Sequence, residues 1–138
     1  MRPAVVRPVL LAALVVALAF AGCVGESGNA PAPSKHREET RTFDLAPGKS
    51  LEFKLRLAKG AKLDYQWTAT RAVAYDFHGD TGGATGYRSH DKGTAATDQG
   101  AWTAPFEGRH GWWWKNDNRV PVTVTLVIEG AYEVIGVE

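Results

Sequence analysis

The feature that most restricts how this chain can fold is an alternation of apolar and polar residues with a period of two. In SLEFKLRLA, at 50–58, every second residue from Leu51 to Leu57 is apolar and the residues between them are charged. The same alternation runs through KLDYQWTA at 62–69 and PVTVTLVIEG at 121–130. A β-strand sends neighbouring side chains to opposite faces, whereas a helix needs apolar residues three and four positions apart. These segments therefore predict half-buried β-strands.

Turn residues separate the alternating segments, and five further segments have the composition of strands. These are 41–45, 72–78, 101–106, 111–115 and 132–137. About eight short strands without a credible amphipathic helix predict an all-β fold, an antiparallel β-sandwich of jelly-roll type. The stretch GDTGGATGYRSHDKGTAATD at 79–98 is rich in Gly and Thr, and it is predicted to be a long loop.

The N-terminus has the order of regions found in a secretory signal. Arg2 and Arg7 precede an apolar run at 9–21 that ends in small residues before Cys23. The run is too short to span a bilayer, so residues 1–22 are predicted to be a signal peptide that is not part of the fold. After it, VGESGNAPAPSKHREE at 24–39 has almost no large apolar residue and predicts a flexible tether.

The end of the signal, Phe20-Ala21-Gly22-Cys23, resembles the lipobox of bacterial lipoproteins, although a leucine is usual where Phe20 stands. The resemblance implies that Cys23 is lipidated and becomes the first residue of the mature chain. Residues 23–39 are then a lipidated cysteine with its tether, and residues 40–138 are one β domain. The expected location is the cell envelope, lipid-anchored on the non-cytoplasmic side, at the periplasmic or the extracellular face.

Composition and missing motifs exclude several classes of function. Cys23 is the only cysteine, so no disulfide and no thiolate metal site is expected in the domain. The chain has 16 Lys and Arg against 15 Asp and Glu, a balance that gives no reason to expect a nucleic-acid partner. Gly-x-Ser-x-Gly and phosphate-binding glycine loops are absent, and adjacency in Ser89-His90-Asp91 is not triad geometry. The protein is predicted not to be an enzyme.

Histidines and aspartates near the predicted loop are candidates for a divalent metal site. The candidate ligands are His78, His90, His110, Asp76 and Asp80. Their spacing matches no common metal-binding motif, so the alternative is that His78 and His110 form hydrogen bonds at strand ends while His90 is exposed. The sequence predicts no other cofactor.

Three consecutive tryptophans in RHGWWWKNDN cannot all lie on one face of a strand. Trp112 and Trp114 share a face that is expected to be buried, which leaves Trp113 on the other. With Trp102 and Tyr87, Trp113 could form an exposed aromatic surface for carbohydrate. The alternative is that the predicted loop covers Trp113.

Three motifs in a fixed order resemble the C-terminal domain of a group of bacterial membrane-anchored proteins. They are DFHGD at 76–80, TAPFEGRHGWWWKNDN at 103–118 and PVTVTLVIEGAY at 121–132. More remotely, the succession of strands is similar to the GOLD domain, whose usual pair of cysteines is absent here. The resemblance implies a β-sandwich used as an interaction module on the non-cytoplasmic side of a membrane, and it brings no catalytic residues.

Together these features predict a membrane-anchored bacterial lipoprotein with a non-catalytic binding or scaffolding domain. Its expected partners are the membrane, through the lipid anchor, and another envelope protein. A divalent-metal-binding protein and a carbohydrate-binding module are the two alternative functions.

Overall fold

Seven antiparallel strands and no helix make up the part of the chain that the computed structural model describes, residues 34–83 and 85–138. The strands are β1 His36–Leu45, β2 Ser50–Leu57, β3 Lys62–Asp80, β4 Arg88–Thr103, β5 Gly108–Lys115, β6 Val122–Ala131 and β7 Glu133–Val137. The all-β, antiparallel prediction is confirmed. The predicted signal peptide, Cys23 and the tether up to residue 33 lie outside the described residues.

The strands form one curled sheet in the order β1-β6-β3-β5-β2-β7, with β4 paired to the remaining edge of β3. The long strand β3 produces the curl because its two halves have different neighbours. Residues 63–69 pair with β6, and residues 74–80 pair with β5. A register shift between Thr68 and Val73 marks the bend between the halves. The described residues contain no helix long and apolar enough to cross a membrane.

The structure corrects the predicted strands in three places. The segments predicted at 62–69 and 72–78 are one continuous strand, β3, so the described chain has seven strands instead of about eight. The loop predicted at 79–98 is wrong from Arg88 onward, because β4 begins there and pairs along most of β3. Strand β1 begins at His36, so the last residues assigned to the tether are paired with β6.

A repeated contact explains why a segment rich in glycine forms a strand. Twice, a tyrosine of β3 lies directly across from a glycine of β4 and covers the space that a side chain would fill. Each tyrosine hydroxyl then donates to an aspartate two residues before that glycine. The two sets are Tyr75 with Gly93 and Asp91, and Tyr65 with Gly100 and Asp98. Both hydroxyl bonds are 3.0 Å long.

The core lies inside the curl and consists mainly of aromatic rings. Trp67, Trp112 and Trp114 are fully buried, and the rings of Trp112 and Trp114 stack with their centroids 6.1 Å apart. Trp113, between them in sequence, points to the outer face of the sheet and is half-buried. The prediction that Trp112 and Trp114 share a buried face is therefore confirmed. Trp113 faces the candidate site that is described below.

Candidate functional site

The outer face of the sheet carries a row of side chains from β2, β5 and β3 that lie side by side. Gly111 of β5 is paired with Lys54 of β2 on one side and with His78 of β3 on the other. Because Gly111 has no side chain, the Lys54 side chain can cross over β5 and reach His78. The Lys54 ammonium lies 2.9 Å from Nε2 of His78.

At Gly111 the backbone of β2 comes closer to β5 than a side chain would allow. A Cβ atom at this position would overlap the carbonyl oxygen of Phe53 and would lie 2.9 Å from its carbonyl carbon. Both atoms belong to the backbone of the neighbouring strand, so they cannot move aside as a flexible side chain could. Glycine is therefore required here by space.

The Lys54 ammonium is buried and bonded to three acceptors. Its Nζ lies 2.8 Å from Oε1 of Glu52 and 3.2 Å from Oδ2 of Asp80, in addition to the contact with His78. Only 6% of the Lys54 side chain is exposed. A buried charge needs such compensation, and an ammonium has three N–H groups to donate. All three are used within this network.

The same network fixes His78. Its Nδ1 lies 3.1 Å from the backbone oxygen of Asp76, which can only accept, so Nδ1–H is the donor. With the proton on Nδ1, Nε2 has a lone pair and accepts from the Lys54 ammonium, which also donates to Oε1 of Glu52, 2.6 Å from Nε2. Neither ring nitrogen of His78 is left free.

Asp80 joins the network to Arg109, whose Nε and Nη2 atoms lie 2.9 and 2.8 Å from Oδ1 of Asp80. Burial acts to raise the pKa of Asp80, but bonds from Arg109, Lys54 and the Gly82 amide outweigh it and lower that pKa. At Glu52, burial is likewise outweighed by the hydrogen bond and positive charge of Lys54, so its pKa is lowered as well. Both carboxylates are therefore ionised at neutral pH.

Above the network is a cleft of about 340 Å³, near the lower end of the size range of small-molecule pockets. The residues that line it are Glu52, Asp76, His78, Tyr87 and Trp113. The register explains this grouping, because Trp113 lies between Glu52 on β2 and Asp76 on β3. The Tyr87 ring lies 4.9 Å from the His78 ring, between centroids.

Asp76 holds Tyr87 in place. The Tyr87 hydroxyl donates to Oδ2 of Asp76, and the Ser89 hydroxyl donates to Oδ1 at 2.7 Å. Partial burial, together with the bond to Asp76, raises the pKa of Tyr87 to about 12. The hydroxyl therefore stays protonated and keeps donating at physiological pH.

A second cavity, of about 450 Å³, lies elsewhere on the sheet beside Asp64 and Glu129, but none of its polar side chains is buried.

His90 and His110 form a separate pair on the inner face of the sheet. Nε2 of His110 lies 3.0 Å from the carbonyl oxygen of Phe106, so this nitrogen carries a proton and donates it. Nδ1 of His110 then accepts from Nε2–H of His90 at 3.2 Å. Burial and the neighbouring His110 lower the pKa of His90 to about 4, and burial also lowers the pKa of His110.

This pair predicts a loss of stability in mild acid. Unfolded histidine takes up a proton below pH of about 6.5, whereas folded His90 does so only near pH 4, so stability falls as the pH drops between these values. Because His90 is partly exposed, we expect it to contribute about 1–2 kcal/mol of this loss.

Urea unfolding at pH 7 and pH 4.5 checks this prediction. His90→Gln keeps a donor to His110 but cannot be protonated, so it should lose less stability than the wild type over this interval. His36→Gln, which changes an exposed histidine, is the matched control and should behave like the wild type. Equal losses in the wild type and His90→Gln would contradict the prediction.

The structure divides the predicted metal ligands between two faces of the sheet. His90 and His110 meet on the inner face, whereas His78 lies on the outer face with Asp76 and Asp80. Within residues 34–83 and 85–138, no three His, Cys, Asp or Glu side chains come together as a metal site would require. The predicted convergence of the three histidines is therefore wrong. Alternation along β3 and β5 is the physical reason, since His78 is paired with Gly111 and His110 with Gly79.

The predicted aromatic surface is also divided. Trp113 and Tyr87 meet across the outer cleft, but Trp102 lies on the inner face, where its ring packs 4.9 Å from Phe77 and 4.6 Å from His90. The three rings therefore do not form one carbohydrate-binding platform. Ser89 and His90 likewise point to opposite faces, toward Asp76 and His110 respectively.

Three residues of the site were missed by sequence reasoning: Glu52, Lys54 and Arg109. The alternation in β2 places Glu52 and Lys54 on the polar face, where they are indistinguishable from solvated charges. The signal that could have found them is Gly111, an isolated glycine inside a strand, since such a glycine marks a close approach of neighbouring groups.

Comparison with known proteins adds no functional assignment. No protein-family model matches the chain, and no curated protein matches it. The chemistry of the site must therefore be inferred from its own geometry.

Proposed function

We propose that this protein is a membrane-anchored bacterial lipoprotein whose all-β domain is a non-catalytic binding or scaffolding module of the cell envelope. The observation that carries the binding role is the cleft at Trp113, whose walls are held in place by a buried network of charges. A site fixed in advance binds without the cost of ordering its side chains. The partner is another component of the envelope that contacts the outer face of the sheet.

The engagement of the two nitrogen bases of the site, Lys54 and His78, supports a non-catalytic role. A general base or a nucleophile needs a free lone pair that faces the substrate. Lys54 donates all three of its N–H groups within the network, and both ring nitrogens of His78 are engaged. Lys54 lies beneath the cleft and His78 lines it, and their bonds hold the cleft walls in place.

The finer fold assignment is part of the same proposal. The two halves of β3 pair with different strands, so the curled sheet can be described as a β-sandwich in which β3 and β4 belong to both layers. Such an arrangement would agree with the remote sequence resemblance to the GOLD domain. That resemblance also favours an interaction module on the non-cytoplasmic side of a membrane.

The anchor is tested directly at Cys23. The protein is expressed in bacteria that are grown with an alkyne-labelled fatty acid. It should become labelled and should be found in the membrane fraction. Cys23→Ala should remove the label and release the protein, because several acyl chains supply the membrane affinity. Ser27→Ala, a change in the same segment, is the control and should leave labelling intact. Labelling of the Cys23→Ala variant, or none in the wild type, would contradict the anchor.

A further inference from the structure

We propose that the cleft binds an organic ammonium group, and this assignment of a ligand class rests on the proposed binding function. The cleft combines two carboxylates, those of Glu52 and Asp76, with the aromatic side chains of Trp113 and Tyr87. A small cation gains from both, because carboxylate oxygens attract its charge and aromatic faces attract it through their quadrupole.

The hydrogen-bond donors around the cleft are already bonded to acceptors of the protein itself, which disfavours an anionic ligand. The hydroxyl hydrogens of Tyr87 and Ser89 are both directed at Asp76, and Nδ1–H of His78 is directed at a backbone carbonyl. Among the lining side chains, the indole N–H of Trp113 is the one donor left for a ligand. An anion would face two carboxylates with a single neutral donor, whereas a cation faces free acceptor lone pairs and ring surface.

The charges around the cleft do not balance. Glu52 and Asp80 are bonded to Lys54, and Asp80 is also bonded to Arg109. Asp76 accepts only from neutral hydroxyls, and no Lys or Arg in the described part of the chain forms a salt bridge with it. Lys92, the residue of β4 that pairs with Asp76, is exposed to solvent and forms no salt bridge with it. The negative charge of Asp76 is thus left for a ligand to neutralise.

The second cavity provides an internal comparison. It is larger and also carries carboxylates, but its carboxylate side chains are exposed, and Tyr65 is its one aromatic residue. Water screens exposed charges, so a cation gains little there. Asp64, at that cavity, and Asp76, at the cleft, lie on the same strand. Asp64→Asn and Asp76→Asn each remove one negative charge, the first at the second cavity and the other at the cleft.

The test follows the indole N–H signals of the five tryptophans by NMR, using the full chain in a nonionic detergent. Trp113→Phe identifies the Trp113 signal. Two ammonium probes are titrated, tetramethylammonium for a methylated headgroup and N-acetyl-lysine amide for a protein side chain. Sodium chloride and sodium butyrate at equal ionic strength serve as the salt and anion controls. The probe that binds more tightly indicates the source of the ammonium.

We expect an ammonium probe to shift the Trp113 signal saturably, and the two sodium salts to leave it unchanged. Asp76→Asn should weaken binding about tenfold, and Asp64→Asn should change it by less than about twofold. No shift with either probe, a shift with butyrate, or equal weakening in both variants would overturn the ligand class. The proposed lipid anchor is tested independently of the ligand class, because Cys23 labelling does not depend on the cleft.

Discussion

Replacing Gly111 by alanine should unfold the protein or destabilise it by about 3 kcal/mol or more. The added methyl group would overlap the backbone carbonyl of Phe53 on the neighbouring strand, and relief requires β2 and β5 to separate. That separation would also pull Lys54 away from His78. Thermal or urea unfolding of the purified protein measures the effect, which corresponds to a fall in Tm of more than about 12 °C for a domain of this size.

Gly93→Ala is the matched control, because Gly93 is also a strand glycine. A methyl group there would lie 3.4 Å from the Tyr75 ring, an ordinary van der Waals contact. We expect a change in stability of less than about 1 kcal/mol. If Gly111→Ala were as stable as Gly93→Ala, then β2 and β5 would not be held as close as described.

Replacing Lys54 by methionine should cost about 3 kcal/mol at pH 7. The methionine fills similar space but leaves Glu52 and Asp80 without their shared ammonium, and their side chains are only 24% and 12% exposed. Removing one partner from a buried ionic network leaves the remaining charges less well compensated, and this accounts for most of the loss in the free energy of unfolding. Urea unfolding of the variant and the wild type gives the difference directly.

The loss of stability caused by Lys54→Met should become smaller as the pH falls. In the wild type the pKa values of Glu52 and Asp80 are lowered, so their contribution to stability is lost as the pH falls through those values. In the variant the hydrogen bonds and positive charge of Lys54 are missing, so the pKa values of Glu52 and Asp80 lie higher than in the wild type, although Arg109 still acts to lower that of Asp80. Protonation of these carboxylates then relieves part of the destabilisation as the pH falls. Lys62→Met, at an exposed strand position, should cost less than about 0.5 kcal/mol. A deficit that is the same at pH 7 and pH 4.5 would contradict the buried network.

The sequence was sufficient to predict the secondary structure class and most strand positions, because alternation in β2 and β6 follows directly from one buried face. It was insufficient for β4. Glycine and threonine have weak strand signals of their own, and β4 forms because tyrosines on β3 cover Gly93 and Gly100. That contact joins residues far apart in sequence. The pairs Asp91-x-Gly93 and Asp98-x-Gly100 are the only local trace of it.

The candidate site was predictable only in part. Asp76, His78, Tyr87 and Trp113 were singled out from the sequence and do lie together at the cleft. The grouping of all three histidines failed because proximity in sequence does not tell which face of a sheet a side chain occupies. A single register shift between Phe77 and His78 places His90 beside His110 on the inner face. The partner strand sets such a shift, and a single segment does not reveal it.

The strand order also determines when the protein can fold. Apart from β3 and β4, no two strands consecutive in the described chain pair with each other; Phe43 of β1 pairs with Val124, and Phe53 of β2 pairs with Val137. Early strands therefore find their partners only after nearly the whole chain is available, and such non-local topologies fold slowly, on a scale of about milliseconds to seconds. For a chain that crosses a membrane before folding, as proposed here, this delay keeps it extended and competent for export.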